Sequence, residues 1–277
     1  MLDIIKAILY GIVEGITEWL PISSTGHMIL LDEFVKMNVS QEFWNMFLVV
    51  IQLGAILAVV LLYWNEIFPW DFSKEARQQH RVNKKSVWLL WAKILVACIP
   101  AAIVGVLFDD WLDEHLYNGY VVAVMLIIFG VLFIVIENKN KEKKPNIETL
   151  EDIDFKTAFI IGIFQLIAAI FPGTSRSGST IVGSLMIGVS RTAAAKFTFL
   201  LAIPVMFGAS LLKLVKFGLA FSASEAAILI TGMVVAFAVS IVVIKFLMNY
   251  IRKHDFKVFG WYRIILGAIV LIYFFVK

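Results

Sequence analysis

Long apolar runs separated by short polar stretches dominate the chain and predict six membrane-length helices. The runs cover roughly residues 43–64, 87–108, 119–137, 191–215, 224–251 and 258–276. A helix needs about 20 predominantly apolar residues to cross a bilayer, and each run comes close to that length. Continuous runs favour helices over a barrel. The pattern therefore predicts an all-α integral membrane protein.

Two further apolar segments, about 2–35 and 156–188, are interrupted by the polar stretches PISSTG and PGTSRSGS. Each half is about 12 to 18 residues long, which is short for a full span. Pro and Gly at the break oppose a continuous helix, and irregular backbone at membrane depth needs protein or a water-filled cavity around it. We predict two re-entrant helix–loop–helix hairpins; the alternatives are one kinked span or two tilted spans each.

The two broken segments also resemble each other, which indicates an internal duplication. Glu14 aligns with Gln165, Pro21 with Pro172 and Ser24 with Ser175, and three long apolar spans follow each segment. One membrane domain, 1–277, then contains repeat 1 (about 1–137), a cytoplasmic linker (138–155) and repeat 2 (about 156–277). An odd number of crossings in each repeat predicts an inverted-topology repeat, a fold in which paired breaks mark the binding site.

The distribution of basic residues predicts the orientation. If both hairpins return to the side they enter, loops 65–86, 138–155 and 252–257 share one face. The opposite face contains DDWLDEHLYNG, without Lys or Arg. By the positive-inside rule the basic face is cytoplasmic, and both termini and the first hairpin lie outside. The cations of the basic face are Lys74, Arg77, Arg81, Lys84, Lys85, Lys139, Lys141, Lys143, Lys144, Arg252, Lys253 and Lys257.

Composition supports the membrane assignment: the 277 residues are 61% hydrophobic and 16% charged, with a mean hydropathy of +0.89. Soluble domains are about half apolar and about a quarter charged. Glu14 and Glu18 interrupt the first apolar stretch, and no basic region precedes it, so the N-terminus does not look like a signal peptide. The one cysteine, Cys98, cannot form an internal disulfide.

The second break offers the groups of an anion site. Helix N-termini present free N–H groups, glycine allows close backbone approach, and Arg176 adds a planar charged fork that suits phosphate. Arg176 could instead pair with a carboxylate, but an arginine at membrane depth favours a functional role. The candidate anion-binding residues beside Arg176 are Gly173, Thr174, Ser175 and Ser177.

The first break adds groups suited to catalysis. Ser24 and His27 are three residues apart, so one helical turn would bring hydroxyl and imidazole together as a nucleophile and its base. Glu14 and Glu18 share a helix face and could bind a hard divalent cation, pair with Arg176, act as an acid–base pair, or relay protons. Near the last span, we expect Arg263 to be an anchor at the membrane interface.

At these positions the motifs EGITEWLPISSTGH and PGTSRSG strongly resemble the two signature motifs of the bacterial undecaprenyl-pyrophosphate phosphatase family, also called the bacitracin-resistance protein family. The resemblance extends over the whole chain in length, span number and order. It implies removal of the terminal phosphate from undecaprenyl pyrophosphate in the bacterial plasma membrane, which recycles the lipid carrier of cell-wall synthesis. It also implies a divalent cation, magnesium or calcium, and a site that opens to the outer face.

By motif position, the resemblance assigns the cation or acid–base role to Glu14 and Glu18 and phosphate binding to Arg176, with Ser175 and Ser177 beside it. The loop hydroxyls are Ser23, Ser24 and Thr25, followed by His27. The expected partners are a polyprenyl pyrophosphate lipid and the bilayer; no nucleic acid is expected, and a homodimer is left open.

Our initial hypothesis is that Ser24 attacks the terminal phosphorus with His27 as base, while Arg176 and a cation held through Glu14 and Glu18 neutralise charge. Attack by His27 itself, or by a metal-bound water, is an alternative. A transporter of a lipid phosphate or another anion is a second class of function, because inverted repeats with broken helices are a transporter architecture. An acid-phosphatase-like lipid phosphatase fits less well: the next histidine after Arg176 is His254, in a basic loop.

Overall fold

A computed structural model describes residues 2–71, 84–116, 118–218 and 220–276, and these residues are folded almost entirely as helices. Six helices are long and apolar enough to cross a membrane, which confirms the predicted spans. The helices are α1 (Leu2–Thr17), α2 (Ser24–Phe34), α3 (Gln41–Leu62), α4 (Trp64–Ile67), α5 (Lys85–Leu116), α6 (Gly119–Lys139), α7 (Phe155–Ile170), α8 (Arg176–Met186), α9 (Arg191–Phe217), α10 (Ala223–Ile251) and α11 (Lys257–Val276).

The surfaces of the long helices expose large apolar side chains that a soluble protein would bury. On α3, Leu57 and Leu61 are more than half exposed, and Ile265 and Ile269 on α11 are as well. Contiguous exposed apolar surface of this kind marks contact with a partner or a membrane. The same helices bury their inner faces in one large core that includes Trp19 and Phe199, whose rings meet edge to face. The fold is therefore that of a multi-pass membrane protein.

Both interrupted segments are pairs of short helices, α1 with α2 and α7 with α8, and each pair returns to the end of the molecule at which it starts. Lys6 Nζ in α1 donates to the carbonyl of Lys36, just beyond α2, at 2.6 Å. In the second pair, Ser190 follows α8, and its N–H donates to the carbonyl of Ile147, which precedes α7, at 2.8 Å. The two breaks, residues 18–23 and 171–175, therefore lie inside the helix bundle.

The two halves of the chain pack against each other in a reciprocal pattern. Helix α1 packs on α10, and its counterpart α7 packs on α5, so the first helix of each half contacts a long helix of the other half. Glycines permit both contacts: a Cβ on Gly11 would lie 2.6 Å from the carbonyl oxygen of Gly232, and one on Gly162 would lie 2.4 Å from that of Ala97. These backbone approaches exclude any larger residue and fix the positions of the short helices.

Two parts of the sequence prediction need correction. Helix α5 continues beyond the predicted end at residue 108 to Leu116, because the polar stretch that follows the apolar run stays helical instead of forming a loop. The linker 138–155 is mostly exposed, as predicted, yet Leu150 and Ile153 are buried and Ile147 bridges to Val189. Among the predicted features, Lys74, Arg77, Arg81, Tyr117 and the side chains of Asp109, Asp110, Asp113 and Glu114 lie outside the described part of the chain.

Candidate active site

The two breaks meet, and a buried ion pair joins them. Nη2 of Arg176, the first residue of α8, donates to Oε1 of Glu18 in the first break at 2.7 Å. The two side chains are only 13% and 8% exposed. The sequence prediction that the loops come together therefore agrees with the structure, although 158 residues separate the two partners.

Each break ends in a serine with an unusual backbone conformation that caps the following helix. Ser23 has φ 75° and Ser175 has φ 68°, the left-handed region that non-glycine residues rarely occupy. Ser23 Oγ accepts a hydrogen bond from the N–H of Gly26 at 3.3 Å, and Ser175 Oγ accepts one from Gly178 at 3.1 Å. Strain of this type occurs mainly at functional sites. The equivalent serines are thus Ser23 and Ser175, so the predicted alignment of Ser24 with Ser175 is wrong by one residue.

Glu18 is the centre of a small hydrogen-bond network. Ser24 Oγ donates to its Oε2 at 2.8 Å, while Arg176 occupies Oε1. Its backbone carbonyl accepts a bond from Ser177 Oγ at 3.1 Å. A serine hydroxyl, a carboxylate and a guanidinium therefore lie in one connected chain that crosses from one loop to the other.

The guanidinium of Arg176 is positioned by the neighbouring helix α9 as well. Nη1 donates to the carbonyl of Thr198 at 3.0 Å, and Nη2 contacts Sδ of Met206 at 3.6 Å. Thr180, one turn beyond Arg176, shares a hydrogen bond with the hydroxyl of Thr198 at 2.8 Å. The sequence did not identify Thr198 and Met206 as partners of Arg176, because their role depends only on where α9 packs.

His27 lies in the first turn of α2 but does not bond to Ser24. Its Nδ1 is 2.7 Å from the carbonyl of Ser23, and its Nε2 is 2.7 Å from the hydroxyl of Tyr262 on α11. Because a carbonyl only accepts, the neutral ring carries its proton on Nδ1 and accepts from Tyr262 at Nε2. Ser24 donates to Glu18 instead, so the predicted serine–histidine contact is absent from this arrangement. Sequence reasoning missed Tyr262.

The remaining candidate residues lie in or beside the two loops. Gly173 has φ +87°, and a Cβ there would lie 2.5 Å from the carbonyl oxygen of Val122. Thr174 is fully buried, and among the residues that the structure describes none is a hydrogen-bond partner for its Oγ1. Ser175 Oγ and Ser177 Oγ are 3.2 Å apart, and Thr25 is half-buried in the first turn of α2.

Arg263 is not an interfacial anchor, and that prediction is wrong. Its side chain is fully buried and donates to the carbonyls of Pro21 in the first loop and of Gly173 and Thr174 in the second. The loop carbonyls lack the partners that a continuous helix would give them, and the guanidinium supplies these partners. A single arginine near the start of an apolar run gave no sign of this role.

The carboxylates fit a cation that is shared with a substrate better than one held by protein alone. Among the described residues no group of three or more His, Cys, Asp or Glu side chains is placed to hold a metal. Arg176 and Ser24 already occupy both oxygens of Glu18, but Glu14 is 1% exposed and its Oε1 lacks a hydrogen-bond partner within the described part of the chain. Magnesium commonly binds one or two carboxylates together with substrate phosphates and water. The free oxygen of Glu14 is suited to that arrangement.

A groove of about 610 Å³ lies beside the site, between α2, α3 and α9. It begins at Met28, next to His27, and reaches Ala209, one turn beyond the Met206 that contacts Arg176. It extends to Gln41, at the end of the molecule where α1 begins. Its polar lining residues are Asp32, Gln41, Asn45, Gln52 and Lys213. The groove runs from that end of the bundle to helix positions next to the site, and both polar and apolar side chains line it.

The groups that meet at the two loops are of the kinds that phosphoryl binding and transfer use. Two helix N-termini supply N–H groups, Arg176 supplies a charged fork, and Ser24 supplies a hydroxyl already bonded to a carboxylate. The apolar surroundings strengthen each of these electrostatic interactions.

Comparison with known proteins agrees with this chemistry. The family model described as "Bacitracin resistance protein BacA" matches residues 7–269. A protein of Desulfitobacterium hafniense named undecaprenyl-diphosphatase is 65% identical over 274 residues, covering 99% of this chain and 97% of that protein. Proteins with the same name from Acetivibrio thermocellus and Enterococcus faecalis are 64% and 60% identical, and cover 99% and 98% of this chain and 98% and 97% of their own lengths.

Proposed function

The chain belongs to the BacA bacitracin resistance family, and we propose that it hydrolyses undecaprenyl diphosphate to undecaprenyl phosphate and inorganic phosphate. This is the activity for which its full-length relatives are named. The product is the lipid carrier that cell-wall synthesis consumes, so the reaction recycles the carrier. Removal of the diphosphate form also accounts for a role in bacitracin resistance.

The chain of contacts Arg176–Glu18–Ser24 carries this proposal. The guanidinium of Arg176 pairs with the carboxylate of Glu18 in this structure, and its planar geometry suits a phosphate equally well. When a diphosphate takes over Arg176, the carboxylate of Glu18 is released from that pairing and keeps its hydrogen bond with the hydroxyl of Ser24. Substrate binding would thus prepare the nucleophile.

The reaction then proceeds in two balanced steps. Ser24 Oγ attacks the terminal phosphorus and gives its proton to Oε2 of Glu18, while the bond to the bridging oxygen breaks and undecaprenyl phosphate leaves. A water molecule next attacks the phosphoserine and releases inorganic phosphate, and Ser24 recovers its proton from Glu18. Phosphoryl transfer depends mainly on positioning and charge stabilisation, which Arg176 and the N–H groups of the capped helices supply.

His27 has a supporting role in this scheme. With Nδ1 on the Ser23 carbonyl and Nε2 on the Tyr262 hydroxyl, the ring holds the first loop against α11. Both ring nitrogens are engaged in these contacts, so the role we assign to His27 is to position the first loop for the substrate. This assignment replaces the initial hypothesis that His27 is the base for Ser24.

We assign the divalent cation, Mg²⁺ or Ca²⁺, to Glu14 and Glu18 together with the diphosphate. Oε1 of Glu14 is the available buried oxygen, and Glu18 becomes available when substrate displaces Arg176. Such a cation neutralises phosphate charge. Ser23, Thr25, Gly173, Thr174, Ser175 and Ser177 would form the walls of the phosphate pocket.

The same proposal includes the membrane architecture: two re-entrant hairpins in an inverted repeat, in the bacterial plasma membrane. It is supported by the return of each short helix pair to its starting end and by the reciprocal packing of α1 on α10 and α7 on α5. With the basic linker cytoplasmic, both termini and the groove beside α2 face outward. The lipid tail would lie among the spans and the headgroup in the groove.

Release of inorganic phosphate in detergent solution tests the activity, since no membrane gradient exists there. We expect purified protein to release one phosphate per undecaprenyl diphosphate, and chelation of divalent cations to abolish the release. No release in detergent, with saturable movement of a lipid phosphate in liposomes, would instead identify a transporter.

A further inference from the structure

The side chain of Arg263 on α11 contacts both loops of the candidate site, residues 18–23 and 171–175. These contacts indicate a role in the reaction as well as in folding. A broken helix leaves carbonyl groups without partners, and membrane-buried protein has little water to satisfy them. In the first loop one such carbonyl belongs to Pro21, and in the second two belong to Gly173 and Thr174. All three accept hydrogen bonds from Arg263.

The guanidinium is a rigid link across the two loops. Nη1 reaches the first loop, 3.2 Å from the oxygen of Pro21, and Nη2 reaches the second, 3.0 Å from that of Gly173 and 2.8 Å from that of Thr174. Nε donates to the carbonyl of Leu126 on α6 at 3.4 Å. One planar group therefore fixes the relative positions of two loops and a transmembrane helix.

Helix α8, which carries Arg176, also rests on this guanidinium. A Cβ added to Gly178, in the first turn of α8, would lie 2.9 Å from Nη1 of Arg263. The small residue allows the helix to approach closely, so a shift of the guanidinium would be transmitted to the turn that begins with Arg176. The link therefore acts on the side chain that pairs with Glu18.

The charge of Arg263 is unusual, because fully buried charges are normally paired. Across the described residues it has no ion pair; carbonyl oxygens and the face of the Phe129 ring surround it. Arg191 shows the usual alternative: its Nε and Nη2 donate to the two carboxylate oxygens of Glu137. Because no described carboxylate neutralises the charge of Arg263, the surroundings of the two loops stay favourable to an anion.

We propose that Arg263 is a positioning residue for the phosphatase reaction: it sets the separation of the two loops so that Arg176 from one reaches Glu18 and Ser24 from the other. The proposal rests on the proposed function and adds to it a residue that does not touch the reacting atoms. Arginine is required because its planar fork reaches several carbonyls at once, which the single ammonium group of lysine cannot do.

Arg263→Lys tests geometry separately from charge, because lysine keeps the positive charge but lacks the planar guanidinium that reaches several carbonyls at once. A displacement of about 1 Å can cost on the order of 100-fold in rate, so we expect kcat for undecaprenyl diphosphate to fall by about 10- to 100-fold. KM should change less than about threefold, since the charge stays and binding depends on it. Arg191→Lys, the same substitution in a paired arginine outside the site, is the matched control and should leave kcat unchanged.

A double-mutant cycle distinguishes positioning from general destabilisation. If Arg263 acts through Arg176, the effect of Arg263→Lys should shrink to less than about threefold in an Arg176→Lys background, because coupled residues are not additive. Rates are normalised to the folded fraction from thermal unfolding. Equal effects of Arg263→Lys in both backgrounds would overturn the proposal, as would a kcat within twofold of wild type.

A second variant covers the case in which Arg263→Lys does not fold. Gly178→Ala keeps Arg263 and moves its Nη1, and it should lower kcat by about tenfold. Gly208→Ala, on a helix surface with open space around the new Cβ, is its control. Unchanged kcat in Gly178→Ala would reject the positioning role.

If wild-type protein releases no phosphate, the proposed function fails. If wild type is active and these variants are equally active, only the role of Arg263 fails.

Discussion

At the scale of single residues, the pairing of Arg176 with Glu18 explains how these two charged groups are tolerated inside the helix bundle. Removing one partner of a buried pair leaves an uncompensated charge, which typically costs about 3–5 kcal/mol. The two partners come from different halves of the chain, so the pair also joins the halves. A phosphate can replace Glu18 as the partner of Arg176. The structure therefore corresponds to the site before substrate binds, while Arg176 is still paired with the carboxylate of Glu18.

The contacts of Ser24 predict the relative importance of its neighbours. Because Ser24 bonds to Glu18 and not to His27, Glu18→Gln removes the proton acceptor and should lower kcat by about 100-fold or more. His27→Gln can keep a hydrogen bond to Tyr262 and should cost about tenfold. The measurement is phosphate release by both variants at the same pH; a larger loss in His27→Gln would return the role of base to the histidine.

At the scale of elements, the site is built on the N-termini of two short helices, α2 and α8, each capped by a serine at positive φ. A side chain in this region costs about 1–2 kcal/mol relative to glycine, and a capping hydrogen bond contributes about 1 kcal/mol. The two terms nearly cancel, so the serines add little net stability, and their role lies in the N–H groups and hydroxyls that they organise.

That balance can be tested at Ser175. Ser175→Gly loses the capping bond to Gly178 but relieves the left-handed backbone, so stability should change by less than about 1 kcal/mol. Ser175→Ala loses the bond and keeps the strain, so it should be less stable than the glycine variant by about 1 kcal/mol. Thermal unfolding in detergent compares them, and equal stabilities would argue against strain at this position.

The packing of α7 on α5 gives a second prediction for the elements. A methyl group on Gly162 would meet the backbone of Ala97 at 2.4 Å, and overpacking of this kind costs about 1–3 kcal/mol or more. Gly162→Ala should therefore unfold at a clearly lower temperature than wild type, whereas Gly208→Ala, with free space around it, should not. Equal unfolding temperatures would show that the helices pack differently.

At the scale of the whole molecule, the features that could be predicted from the sequence are those that depend on residues close together in the chain. The predicted span starts at 119 and 191 match α6 and α9, because apolar runs and capping residues fix those boundaries. The breaks at Pro21 and Pro172 follow from Pro and Gly inside apolar segments, which is also a local signal. Ser24 bonding to Glu18, and Tyr262 to His27, could not be predicted, because those contacts depend on helix packing across the fold.

The proposed orientation is a property of the whole molecule and can be measured by labelling. In a Cys98→Ser background, Lys143→Cys in the linker should react with an impermeant thiol reagent only after the cells are opened. Lys36→Cys, at the end of the bundle that holds the start of α1, should react in intact cells. Both positions are exposed, so the reverse pattern of labelling would invert the topology.

The most direct test of the central claim, that the junction of the two loops is the phosphatase site, is the turnover of undecaprenyl diphosphate by Arg176→Ala. We predict a loss of at least about 100-fold, because an arginine that stabilises the transferred phosphoryl group commonly contributes several kcal/mol. Arg252→Ala, which removes an exposed arginine from a different loop, should retain full activity. A turnover near the wild-type rate in folded Arg176→Ala would contradict the assignment of the site.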